Sequence, residues 1–178
     1  MKRINNYIIE KLNLNKNTKI SSHQYCPKTR DELYDLIRKL IKERGNNANL
    51  NDIDVSNITD MSSIFKDSDF NGDISEWNVS NVTNMSYMFY DSKFNNDISN
   101  WDVSNVTSMS NMFYASEFNG NISEWNVSKV IGMYSMFEYS EFNGDISKWK
   151  VNKNANKEDM FKFSPLQNNP PKWYINHK

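Results

Sequence analysis

His23 and Cys26 stand three residues apart in SSHQYC, and an imidazole with a thiol is the pair from which a nucleophilic dyad is built. A dyad also needs tertiary geometry and a third group to orient the imidazole, so the pair reads as an ordinary surface or cap position. Asp52, Asp54, Asp73, Asp97 and Asp145 pose the question of calcium. Calcium takes about six to eight oxygens converging on one point, whereas these acids come one or two to a repeat and read as solvated turn residues. No P-loop, HExxH, nucleophile elbow or glycine-rich phosphate fingerprint occurs. The sequence therefore predicts no enzyme, no metal and no cofactor. Asn-Xaa-Ser/Thr triplets such as those at Asn57, Asn81 and Asn105 arise from the repeat itself and are expected to stay bare.

The elements that carry these residues are set by a period. Trp77, Trp101, Trp125, Trp149 and Trp173 are spaced by 24 throughout. Phe65, Phe89, Phe113, Phe137 and Phe161 share that period, as do Met61, Met85, Met109 and Met133 and the valines Val55, Val79, Val103, Val127 and Val151. Several columns in one register mark a repeat architecture. Within a unit, Ile74, Trp77, Val79 and Val82 give apolar-x-x-apolar-x-apolar-x-x-apolar, the strand pattern of leucine-rich repeats with leucine replaced. The alternation Trp77-x-Val79 predicts a short strand pointing both inward. Thr83 or Asn84 then offers a cap, and Met85, Met88 and Phe89 share one helical face. Asn71-Gly72 is a turn signal. The predicted fold class is an α/β solenoid: a right-handed superhelix with a short parallel β-ladder on one face, short helices on the other and a helical N-terminal cap.

Both ends fit the same spacing. TRDELYDLIRKLIKERG reads as a helix with a capping box from Thr29 to Glu32 and a stop at Gly45. Its Ile37, Leu40 and Ile41 lie one period before Met61, Ile64 and Phe65, so it serves as an enlarged, polar-faced first rung. Lys172-Trp173-Tyr174-Ile175 falls in register with Lys148-Trp149-Lys150-Val151 and predicts a last strand, which Pro170 and Pro171 precede. The organisation expected is an N-terminal helical extension over 1–23, a capping helix within 24–50, repeats over 51–165 and a cap strand within 166–178. In the extension, Ile4, Tyr7, Ile8 and Leu12 suggest a short amphipathic helix.

DISEWNVSNVTNMSYMF, WDVSNVTSMSNMF and LNDIDVSNITDMSSIF resemble the BspA-type leucine-rich-repeat family. The resemblance covers about residues 28–165 and departs from the motif at Lys150-Val151-Asn152-Lys153. It implies a right-handed solenoid and a habit of protein binding, often as a bacterial surface adhesin. MKRINNYIIEKLNLNKNTKI resembles the openings of small phage or prophage proteins.

Composition excludes several classes. Aromatic residues make up 13% of 178 residues, which argues against disorder, and mean hydropathy is -0.79. No run approaches the roughly 20 apolar residues of a membrane helix. The single cysteine excludes an internal disulfide framework. With no signal peptide or anchor seen, a cytoplasmic location is expected, and an extracellular surface is the alternative that the resemblance offers. Asparagine is abundant at 29 residues against 7 leucines, and no leucine occurs in 51–165, so phenylalanine, tryptophan and methionine replace it as core filler.

Charge is ordered along the chain. Residues 1–50 hold 11 basic and 5 acidic groups, residues 51–145 hold 3 and 15, and residues 146–178 hold 7 and 2. An acidic belt thus lies between basic ends. On the expected sheet face, the outward columns run Asp52, Glu76, Asn100, Glu124, Lys148 and Asp54, Asn78, Asp102, Asn126, Lys150. Those ten positions are the candidate partner-binding residues, because repeat proteins bind on their extended face.

The function expected is a non-enzymatic, monomeric module that binds a protein partner with a basic surface through this acidic face and its caps. One alternative is a phage-borne or mobile-element inhibitor, anti-CRISPR-like, that occupies the basic channel of a nucleic-acid-dependent defence enzyme. A surface adhesin is a further alternative. Direct nucleic-acid binding by Lys11, Lys16, Lys19, Arg38, Lys39 and Lys42 ranks lower, since the acidic middle would repel the same polymer.

Overall fold

The structure, a computed structural model, describes residues 23–175. The helix expected over the first 23 residues lies outside the described residues, His23 excepted. Helix α1 spans Arg30–Arg44. Thr29 caps it, its hydroxyl accepting from the Glu32 N–H at 3.2 Å. The Glu32 carboxylate accepts from the N–H of Lys28 at 2.7 Å, one residue outside the cap, so the box closes over a slightly longer stretch than the motif implies. Gly45 ends the helix at φ 87, with its N–H on the Ile41 carbonyl. Leu33, Ile37 and Leu40 form the buried stripe.

After α1 the chain does not form the expected α/β solenoid with its parallel ladder and row of short helices. Among the described residues there is no extended strand and no sheet, only isolated parallel bridges. Beyond α1, the helical elements are a 3-10 turn at Pro165–Gln167 and the short α2 at Lys172–Ile175. The chain between is a succession of turns. Four of the bridges run from Asp60 through Asn84, Ser108 and Gly132 to Asn156, linking one coil of turns to the next.

The physical reason lies in the polar residues between the apolar columns. Asp73 Oδ1 accepts from the N–H of Ser75 at 3.0 Å, Asn78 Oδ1 from Ser80 at 3.2 Å and Asn84 Oδ1 from Ser86 at 3.0 Å. Ser92 Oγ accepts from the N–H of Phe94 at 3.2 Å. Each such side chain satisfies a backbone donor that a strand would have offered to its neighbour, and bends the chain there. Trp77-x-Val79 is therefore flanked by two turns, with the N–H of Trp77 on Ile74 and that of Val82 on Val79.

The helix expected over Met85–Phe89 fails for a different reason. Tyr87 and Asp91 have φ of 60 and 47, in the left-handed region that a right-handed helix cannot contain. The N–H groups of Met85, Tyr87, Phe89 and Asp91 then all point the same way. They donate to the carbonyls of Ser108, Ser110, Met112 and Tyr114 at 2.8 to 3.0 Å. The preceding coil repeats the arrangement, with Met61, Ser63, Phe65 and Asp67 donating to Asn84, Ser86, Met88 and Tyr90. Coil is joined to the next coil by this row, and the N–H groups of Thr83 and Lys93 add bonds back to the Thr59 and Ser68 carbonyls of the coil before.

The core runs through the middle of these coils. Phe65, Phe89, Phe113 and Phe137 stack with centroids 5.5 to 5.6 Å apart, and Phe94 lies 4.4 Å from Phe89. Met61, Met85, Met109 and Met133 are fully buried beside them. Gly72 marks a close approach: a Cβ there would sit 2.0 Å from the Ala48 carbonyl oxygen.

At the far end the expected strand over 172–175 is the helical turn α2. Pro165 ends the coil, and the N–H of Tyr174 turns back to the Pro171 carbonyl at 2.9 Å. No helix among the described residues is long and apolar enough to cross a membrane.

Candidate interaction surfaces

The two columns chosen from the sequence lie on a surface of turns, not on a sheet, and their members differ in what their head groups do. Asp52 is half-buried and held by Arg44 in a two-point pair, Nη1 to Oδ1 at 3.0 Å and Nη2 to Oδ2 at 2.9 Å. That pairing holds the Asp52 carboxyl below its ordinary range. Since Arg44 closes α1, this pair ties the cap to the first coil.

The second column is occupied by turn-forming contacts. Asp54 Oδ1 accepts from the N–H of Ser56, Asn78 from Ser80, Asp102 from Ser104 and Asn126 from Ser128, at 3.0 to 3.2 Å. The Ser56 hydroxyl and N–H lower the pKa of Asp54, and those of Ser104 lower that of Asp102. Lys150 takes the same place in the last coil, and the turn-capping role moves on to Asn152, which accepts from Asn154.

Glu76, Asn100, Glu124, Lys148 and Lys150 are exposed or half-buried at the surface. The N–H of Glu76 donates to Asn51 Oδ1 at 3.0 Å, and the residue is exposed. Glu124 Oε1 accepts from the Ser123 hydroxyl at 3.4 Å. Glu76, Asn100, Glu124 and Lys148 thus follow one column, with neither carboxylate in an ion pair among the described residues, and Lys150 stands in the second column after the turn formers Asp54, Asn78, Asp102 and Asn126.

Cys26 is exposed. Asp73, Asp97 and Asp145 are each held below the usual carboxylate range, chiefly by the backbone N–H two residues on: Ser75, Ser99 and Ser147. Among the described residues, no group of three or more His, Cys, Asp or Glu side chains is placed to hold a metal ion.

A second surface was missed in the sequence. Tyr90 and Tyr114 stack with centroids 4.7 Å apart, Tyr114 meets Tyr139 edge-on at 5.6 Å, and Tyr139 stacks on Phe163 at 4.7 Å. These rings lie outside the core on successive coils. The signal was present: Tyr139 and Phe163 fall in the column that holds Asp67, Asp91 and Ala115 in earlier coils.

Neither a curated protein nor a solved structure matches this sequence. Two overlapping stretches, residues 35–141 and 92–177, match the family described as "Mycoplasma protein of unknown function, DUF285". With most of its length inside those two stretches, from the middle of α1 to the end of α2, the chain belongs to the DUF285 family.

Proposed function

We propose that this protein is a non-enzymatic repeat module that binds a protein partner with a basic surface through its acidic face and its caps. The observation that carries the reading is the exposed pair Glu76 and Glu124, neither in an ion pair among the described residues, in one surface column within a stretch that holds 15 acidic and 3 basic groups. A low-dielectric wall lined with one sign of charge focuses field and raises the on-rate of an oppositely charged partner. Rigidity supports it as well, since turn-capped coils hold the column in place before a partner arrives. The BspA-type character of the W-[ND]-V-S-N-V-T motif supports a protein-binding habit. Asp102 and Asn126 act in this reading as supports of the face through their turns, and Glu76, Asn100 and Glu124 as the groups that meet the partner.

The test is affinity capture with the full chain and with a Glu76→Lys/Glu124→Lys variant. One protein recovered by the former and lost by the latter supports the reading. Equal recovery by both removes the acidic face from it, and recovery of a nucleic-acid-dependent enzyme in the band identifies an inhibitor.

A further inference from the structure

Tyr87, Tyr139 and Phe163 have φ of 60, 58 and 57 and are 40%, 50% and 56% exposed. A left-handed backbone costs a non-glycine residue about 1–2 kcal/mol, and asparagine or aspartate tolerates it better than a bulky ring. Other coils carry smaller residues there, with Ser63, Asn111, Ser135 and Asp159 matching Tyr87 and with Asp67, Asp91 and Ala115 matching Tyr139. Neither backbone preference nor core packing calls for aromatic rings at these three places. Strain of this kind, held on a surface, points to use.

The surroundings of the row are acidic. A depression of about 270 Å³, lined by Asp67, Asp69, Asp91, Ala115 and Glu117 together with Lys93, adjoins the row where Asp91 and Ala115 follow Tyr90 and Tyr114 in the chain. Lys93 is already paired with Asp69 at 2.7 Å. The row's two ends are closed by the chain's own lysines, Lys66 over the Tyr90 ring at 4.8 Å and Lys162 over Phe163 at 5.6 Å. Asp67, Asp91 and Glu117 have no ion-pair partner among the described residues.

We propose that the row from Tyr90 through Tyr114 and Tyr139 to Phe163, with its acidic depression, is a docking surface for a lysine-bearing segment of a partner protein. Lysine suits both parts: its aliphatic stem covers ring edges while its ammonium reaches a carboxylate of the depression. Tyrosine presents a large contact area at small entropic cost. A nucleic-acid strand would stack on the rings but set its phosphates against Asp91 and Glu117. The surface lies on a different segment of each coil from Glu76 and Glu124 and stands independently of their role.

The probe is a fluorescein-labelled decalysine peptide, titrated at low salt against the full chain. In Tyr114→Ser/Tyr139→Ser, affinity is expected to fall at least fivefold; in Asp91→Asn/Glu117→Gln, which leaves the rings intact, it should fall about as much. In Asp35→Asn/Glu43→Gln, two exposed acids of α1, it should stay within twofold, and Glu76→Gln/Glu124→Gln is titrated alongside. Circular dichroism of each variant separates lost binding from lost folding. An unchanged affinity in the ring variant overturns the proposal, as does loss of binding only in the Glu76/Glu124 variant. Concentration-dependent dimerisation in sedimentation that the ring variant abolishes would assign the surface to a second copy instead, and also overturns it.

Discussion

The indole N–H of Trp101 donates to the carbonyl oxygen of Ile74, 3.2 Å away and 27 residues earlier in the chain. The same bond recurs from Trp77 to Leu50, Trp125 to Ile98, Trp149 to Ile122 and Trp173 to Ile146. Trp77, Trp101, Trp125 and Trp149 therefore fill the core of their own coils, Trp173 packs against its end, and each adds a second donor to a carbonyl of the coil before. Trp101→Phe keeps an aromatic ring and leaves the Trp77 N–H on that carbonyl, but removes its second donor, which costs about 0.5–1.5 kcal/mol. Urea denaturation should show a midpoint lowered accordingly with the slope unchanged. A midpoint equal to wild type would mean that the bond contributes nothing.

Acid should unfold the protein through its turns. Asp54, Asp73, Asp97, Asp102 and Asp145 are each held below their ordinary pKa by serine hydroxyl and N–H groups. The unfolded chain then binds protons that the folded one does not. Their contribution is complete above the unfolded carboxylate pKa of about 3.9 and is lost as pH falls through the lower folded values. Asn78, Asn121 and Asn126 do the same turn-capping work without titrating. Asp73→Asn/Asp97→Asn should therefore keep the fold at neutral pH and flatten the fall of stability below about pH 4. The measurement is tryptophan fluorescence across an acid series, and a slope as steep as wild type would contradict it.

Tyr87 is expected to cost stability. Asn111 occupies the equivalent place one coil on, at φ 57, with a residue type that the left-handed region favours. Tyr87→Asn should raise the thermal midpoint, by a gain of about 0.5–1 kcal/mol after loss of the ring's tilted contact with Tyr90. A lower midpoint would show that this contact outweighs the backbone strain.

What could be read from the sequence depends on what each residue type encodes. The apolar columns were readable, because burial depends on side-chain type and the columns of Phe, Trp, Met and Ile are buried where the spacing puts them. Thr29 and Gly45 were readable for the same kind of reason, each having a cap chemistry of its own. The α1 helix was readable with them, whereas the strands and short helices expected within the repeats were not there to be found. Ile74, Trp77 and Val79 point inward from turns as well as they would from a strand, so periodicity could not separate the two. The deciding residues were Asp73, Asn78 and Asn84, whose side chains take backbone donors locally. The left-handed φ of Tyr87 had no signal at all, since no glycine marks it. At the candidate face, alternation separated inward from outward residues, but not the free Glu76 from Asp102, whose carboxylate is engaged with Ser104. The aromatic row escaped because it crosses columns, Tyr90 and Tyr114 in one and Tyr139 and Phe163 in the next.

The central functional claim is that the exposed carboxylates of Glu76 and Glu124 meet a basic partner. The most direct measurement is the affinity of the captured partner for wild type and for Glu76→Gln/Glu124→Gln, each at about 50 and about 200 mM salt. Two exposed ion pairs are together worth up to about 2 kcal/mol, so the account predicts roughly fivefold or greater weakening in the variant at low salt, and a smaller loss on adding salt than wild type shows. Equal affinities and equal salt dependence in the two proteins would contradict it.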